Sequence, residues 1–133
     1  MICTYEEYLK QPKAMAFETM QTIHAEMLVE IDVDKDALEL YDELLEVATR
    51  YAAIRANWLL LSREEKNEQD SGRTSCHNSV ITHVNMLARY LKQQGKSATW
   101  RDELGYEEDN PYNRKAIGDF ACYLVFVNGI NAR

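Results

Sequence analysis

A chain of 133 residues with 46% apolar and 28% charged side chains has the size and make-up of one ordinary globular domain. It is long enough to build a core without disulfide staples, since a chain of this size hides roughly two-thirds of its unfolded surface. The net charge of −7 is uneven, with 16 acids against 7 bases in residues 1–72 and 6 acids against 8 bases in residues 73–133. That acidity argues against the phosphate neutralisation on which nucleic-acid binding rests, although Arg89, Lys92, Lys96, Arg101, Arg114 and Lys115 offer a local basic patch. The longest apolar run, residues 120–127, falls far short of the ~20 residues of a membrane span. Three scattered cysteines, Cys3, Cys76 and Cys122, form no CxxC pair. They suit reduced thiols in a cytoplasm, and no signal peptide is expected at the start of the chain.

In chain order, Thr4 and Glu7 fit a capping box. The first main helix is expected to begin near Pro12, a residue tolerated in a first turn, and carries Phe17, Met20, Ile23, Met27, Leu28 and Ile31 at helical spacing. "DVDKD" breaks it, and Asp34 or Asp36 can cap the next helix, whose apolar stripe is Ala37, Leu40, Tyr41, Leu44, Val47, Ala48, Tyr51, Ile54 and Trp58. Ser62 with Glu65 is a second capping box, opening a short polar helix or turn that Gly72 ends. A separate helix over 74–94 follows, with Gly95 as its stop. "ATWRDELG" is one or two turns stopped by Gly105, and "YEEDNP" is a loop. Asn110-Pro111 then supplies cap and first position for a last helix reaching about Asn128. "FACYLVFV" is apolar on every face and rich in strand formers, so periodicity alone does not type it. The start signal and the lack of any strand partner favour helix. The expected fold is therefore all-α: a bundle of four main helices plus short ones. Its all-round apolar last helix is either central or covered by a second subunit, as in a homodimer.

Candidate chemistry centres on residues that face the core yet are polar. His77 lies one turn before Ile81, and Arg73 a turn earlier on the same side; His24 sits four residues from both Met20 and Leu28. Three readings are open. The plainest is a pair of neutral, hydrogen-bonded core histidines. The second is a ligand pocket lined by Arg73 and His77, with Asp119 as orienter and Trp100 as a wall. In that setting Asp119 would pair with Arg73 or Arg114. The third is a metal site of His24, His77 and a carboxylate or Cys76, though His77 and His83 are about 120° apart on a helix and cannot share an ion. Cys76 and His77 point about 100° apart, a poor nucleophile–base pair. No glycine-rich phosphate loop and no GxSxG is present.

Glu43 with Glu46, and Glu65 with Glu68, form two ExxE pairs. This arrangement resembles the all-α nucleoside-triphosphate pyrophosphohydrolases, MazG-like and dimeric dUTPase-like, where ExxE on one helix and ExxD on the next hold magnesium. The resemblance covers about 30 residues, and the second pair here is ExxE. It implies a Mg²⁺ site at Glu43, Glu46, Glu65 and Glu68 and hydrolysis of a nucleotide. Against it, Glu39, Glu43, Glu46 and Arg50 lie opposite the apolar stripe, as a solvated, salt-bridged face would. "LARYLKQQGKSATWRDELG" has the outline of a DNA-binding helix-turn-helix, but its second helix is very short and acidic residues follow. "RTSCHNSVITHVNMLARYL" followed by "IGDFACYLVFVNGINAR" resembles a small bacterial all-α family of unknown function over the C-terminal half, which implies fold class alone. The expectation is a cytoplasmic binding or regulatory module that works through a protein partner or a second copy of itself. No cofactor and no membrane are called for. The alternatives are the Mg²⁺-dependent enzyme and the DNA binder.

Overall fold

The computed structural model describes residues 15–58, 60–104 and 114–128. Every regular element among them is a helix: α1 (Phe17–Ile31), α2 (Lys35–Trp58), α3 (Arg63–Gln93), α4 (Thr99–Glu103) and α5 (Arg114–Val127). The fold is all-α. The Thr4/Glu7 box, Pro12, Gly105, the "YEEDNP" stretch and Asn110-Pro111 lie outside the described residues.

The longest seam runs between α2 and α3, and α5 packs chiefly on α2. Of the stripe its spacing predicts, α2 buries Ala37, Tyr41, Leu44, Val47, Ala48 and Tyr51, with Ala52 added, while Leu40, Ile54 and Trp58 are half-buried. Its start is fixed by Asp34, whose Oδ1 accepts the backbone N–H groups of Asp36 at 3.0 Å and Ala37 at 3.1 Å. Those bonds, Ala37's above all, together with the Tyr90 hydroxyl, hold the Asp34 carboxyl below the usual carboxylate range. α1 starts at Phe17 and not near Pro12, because Ala16 is extended. Phe17 instead anchors the helix start, its ring edge-on to Tyr123 at 5.5 Å.

The largest departure from expectation is α3. Its capping box forms as predicted, with Ser62 Oγ accepting from the Glu65 N–H at 3.2 Å and Glu65 Oε1 accepting from the Ser62 N–H at 3.0 Å. The helix does not stop at Gly72, however; it runs through to Gln93 as one rod of 31 residues. A glycine ends a helix when the chain turns left-handed there, and at Gly72 it does not. Gly95 does so, with φ +84°. There the Gly95 N–H reaches Lys92 O at 3.1 Å and the Lys96 N–H reaches Leu91 O at 2.9 Å, which together make a Schellman cap.

Residues 120–127 are helical, not a strand. α5 is buried on all sides from Ala116 to Val125, within the chain itself and against α2, α3 and α1. Its apolar surface is therefore used up in the core and does not require a second subunit to cover it. Gly118 permits the closest approach: a Cβ there would stand 2.6 Å from the Tyr51 hydroxyl and 3.2 Å from its ring. Among the described residues no helix is long and apolar enough to cross a membrane.

Candidate functional site

Near the C-terminal end of α2, three helices bring polar groups together inside the core. Tyr51 stands at the centre. Its ring meets the His77 ring edge-on at 5.2 Å, and its hydroxyl lies over Gly118 of α5. One turn on, Arg55 pairs with Asp119 and points a second nitrogen at Cys122 Sγ, 3.9 Å away. Asp119 is fully buried and the Arg55 side chain is 17% exposed. Burial works against the Arg55 charge, but Cys122, Asp119 and Tyr51 outweigh it and raise its pKa above the ordinary value. Burial likewise raises the Tyr51 phenol.

Above this cluster an open cavity of about 350 Å³ is lined by Tyr51, Arg73, Thr74 and His77. Arg73 does not enter the core. Its guanidinium carbon sits over the Trp58 ring, 4.1 Å from the ring centre, and one guanidinium nitrogen donates to Asp70 Oδ1 at 3.1 Å. α2 and α3 thus build the cavity from facing turns, with Trp58 as its outer support.

The predicted pocket residues accordingly divide. Arg73 and His77 share the cavity. Asp119 lies beneath it, separated by Tyr51, and its partner is Arg55 rather than Arg73. Trp100 is not a wall of this site. It is fully buried beside α1, where its Nε1–H donates to Glu30 Oε1 at 2.6 Å. The other Glu30 oxygen accepts from Ser97 N–H, Ser97 Oγ and Ala98 N–H at 3.1–3.2 Å. That carboxylate pins the start of α4. A second cavity of about 340 Å³ opens there, lined by Ala25, Glu26, Val29, Glu30, Ser97 and Thr99. It is acidic: beside it, burial and then the charge of Glu26 push the Glu103 carboxyl up.

His24 has a different setting. Its Nε2 meets the Tyr41 hydroxyl at 2.8 Å, and the Asn128 amide donates to that same oxygen at 3.0 Å. Because Asn128 supplies a proton to Tyr41 Oη, the phenol is free to donate to a neutral imidazole. Burial lowers the His24 pKa, in keeping with that arrangement.

The four glutamates of the ExxE pairs are exposed. Glu46 pairs with Arg50 at 3.4 Å, and Glu65 is engaged in the α3 cap. Among the described residues no three His, Cys, Asp or Glu side chains gather as a metal site. In the helix-turn-helix stretch, α4 has five residues, and Trp100 and the adjoining Leu104 are buried.

Sequence reasoning overlooked Tyr51, Arg55 and Thr74. Tyr51 was legible only as core. Arg55 carried a signal: it sits four residues after Tyr51 and three before Trp58, inside the apolar stripe, where a charge needs a buried partner. A comparison with family models, with curated proteins and with solved structures finds no match.

Proposed function

We propose that this chain is a small helical binding module whose recognition element is the cavity at Arg73 and His77. The observation that carries the reading is an arginine already fixed at the cavity's edge by Trp58 and Asp70. A side chain ordered before its ligand arrives loses less entropy on binding. The surroundings favour binding over turnover. Asp119, the natural orienter for a catalytic histidine, is engaged with Arg55, and His77 is packed against Tyr51. The module works in a cytoplasm, through a protein partner or a second copy that responds to the filled cavity. Side chains available for that contact include Val29, Val33 and Leu60, each at least 75% exposed.

Thermal unfolding against divalent metals, nucleotides and small organic acids tests this, with size-exclusion chromatography on the same samples. A ligand held only by the folded chain raises Tm by mass action. The expected outcome is a shift that disappears in an Arg73→Ala/His77→Ala variant of unchanged helical content. A shift produced by Mg²⁺ with a nucleotide, and abolished by Glu43→Gln instead, would replace this reading with nucleotide hydrolysis.

A further inference from the structure

The cavity is unusual in what its walls can offer. Each described lining residue carries a side-chain N–H or O–H group: the Tyr51 phenol, the Arg73 guanidinium, the Thr74 hydroxyl and the His77 ring. Among the described residues no carboxylate lines it. Two acids close by are already matched, Asp119 by Arg55 and Asp70 by one nitrogen of Arg73 at the rim. A guanidinium has five N–H donors in a fixed fork, so the bond to Asp70 leaves donors over. Asp70 is also 60% exposed, so water screens its charge more than it screens the half-buried cation beside the cavity.

We propose that the cavity receives a small oxyanion, a carboxylate or a phosphate group, with Arg73 as its principal donor and Thr74 and His77 completing the contact. The proposal rests on the binding-module reading and adds the chemical class of the ligand. Walls that are rich in donors and, among the described residues, hold no acid suit an acceptor-rich ligand. Charge-assisted bonds from guanidinium to carboxylate or phosphate are the strongest of this kind. The cavity, at about 350 Å³, is at the small end for ligand sites. The Tyr51 ring adds an apolar wall, so a compact stem beside the anionic group fits. Polyanions do not suit the chain, whose net charge of −7 opposes them at long range. The acidic cavity at Glu26 and Glu30 serves as an internal contrast, since it offers carboxylates where this one offers donors.

The test titrates the full chain at constant ionic strength with benzoate, phenyl phosphate, inorganic phosphate, and the uncharged benzyl alcohol, using chloride as reference. The readouts are Tm and the NMR signals of the Arg73 Nε–H and the His77 ring. Saturable binding of benzoate or phenyl phosphate is expected, with both signals shifted, and roughly tenfold or greater weakening in Arg73→Gln. Whichever anion binds more tightly separates a carboxylate ligand from a phosphate one. The proposal is overturned if neither anion exceeds chloride, or if Arg73→Gln binds them as tightly as the parent. If Arg73→Gln does not fold, the parent's own signals decide: anion binding that leaves Arg73 and His77 unmoved overturns it equally. Benzyl alcohol binding alone, with those signals shifted, keeps the cavity as a recognition site and removes the oxyanion. No binding by any probe, with no Tm shift from the wider ligand panel, removes both readings.

Discussion

Two histidines meet two tyrosines of the same helix, Tyr41 and Tyr51 of α2, and the two meetings differ. His24 and His77 are equally buried, each 8% exposed. At Tyr41 the ring nitrogen is hydrogen-bonded to a phenol that Asn128 also reaches, and Tyr123 closes the other side edge-on at 5.9 Å. Neutral groups satisfy one another there. At Tyr51 the histidine meets a ring edge, a buried ion pair lies one turn further along α2, and the histidine lines a cavity edged by Arg73. Equal burial of an imidazole therefore hides two different settings. The neighbours tell them apart: a closed neutral network surrounds His24, and an open face with charge nearby adjoins His77.

The sharpest way to break this comparison is Asp119→Ala. It leaves the Arg55 guanidinium in the core without its carboxylate, which is expected to cost about 3–5 kcal/mol. Urea unfolding at unchanged m reads the loss. A loss below about 1 kcal/mol would mean that Arg55 swings into water and that the open end carries no buried charge at all. At the closed end, Tyr41→Phe removes the hydroxyl shared by His24 and Asn128, with an expected cost of about 1–3 kcal/mol. If that variant proved the more damaging of the two, the ranking of the two ends would be reversed. The closed end also has a pH signature. Burial depresses the His24 pKa in the folded chain, so below its ordinary value of 6.5 the unfolded chain takes up the proton first. This contribution is complete above about pH 6.5 and is lost as the pH falls from there through the folded pKa. Urea midpoints between pH 7.5 and 5 should therefore decline on the acid side, and His24→Gln should flatten the decline.

How much of this was legible depended on whether the cause was local. The capping box at Ser62 and Glu65, the Asp34 cap and the Gly95 stop are each set within a few residues, and each formed as read. Most of the buried stripe of α2, from Ala37 to Tyr51, followed from spacing alone. Long-range pairings were not readable. Trp100 signalled a wall because it is large and apolar, but its indole N–H found Glu30, 70 positions earlier in the chain. Asp119 signalled a cationic partner, and the packing of α5 on α2 brought it to Arg55, a residue that no pattern around Asp119 names. Arg73 and His77 were found together because both lie on one helix, where their spacing already put them on one side. The cavity between them needed Tyr51 from the opposite helix, which no pattern in either segment specifies.

Gly72 gives the smallest effect and the finest test of the open end. Residues 63–72 of α3 are almost wholly exposed, whereas from His77 onward the helix buries a regular stripe. The exposed half holds its helical form mainly through its cap and the Asp70–Arg73 pair, and it carries Arg73 into position at the cavity. A glycine inside a helix forfeits backbone entropy, and a Cβ at Gly72 would meet nothing within 4 Å. Gly72→Ala is therefore expected to stabilise the chain by roughly 0.5–1 kcal/mol. If Gly72 instead ended one helix before a second began, alanine would be neutral or harmful there. A stabilised variant with slower amide exchange over 66–73 would establish that α3 is one rod and that Arg73 is presented from a continuous helix. An unchanged or lowered midpoint would divide α3 at Gly72 and leave Arg73 without the rigid placement on which the proposed recognition at this end depends.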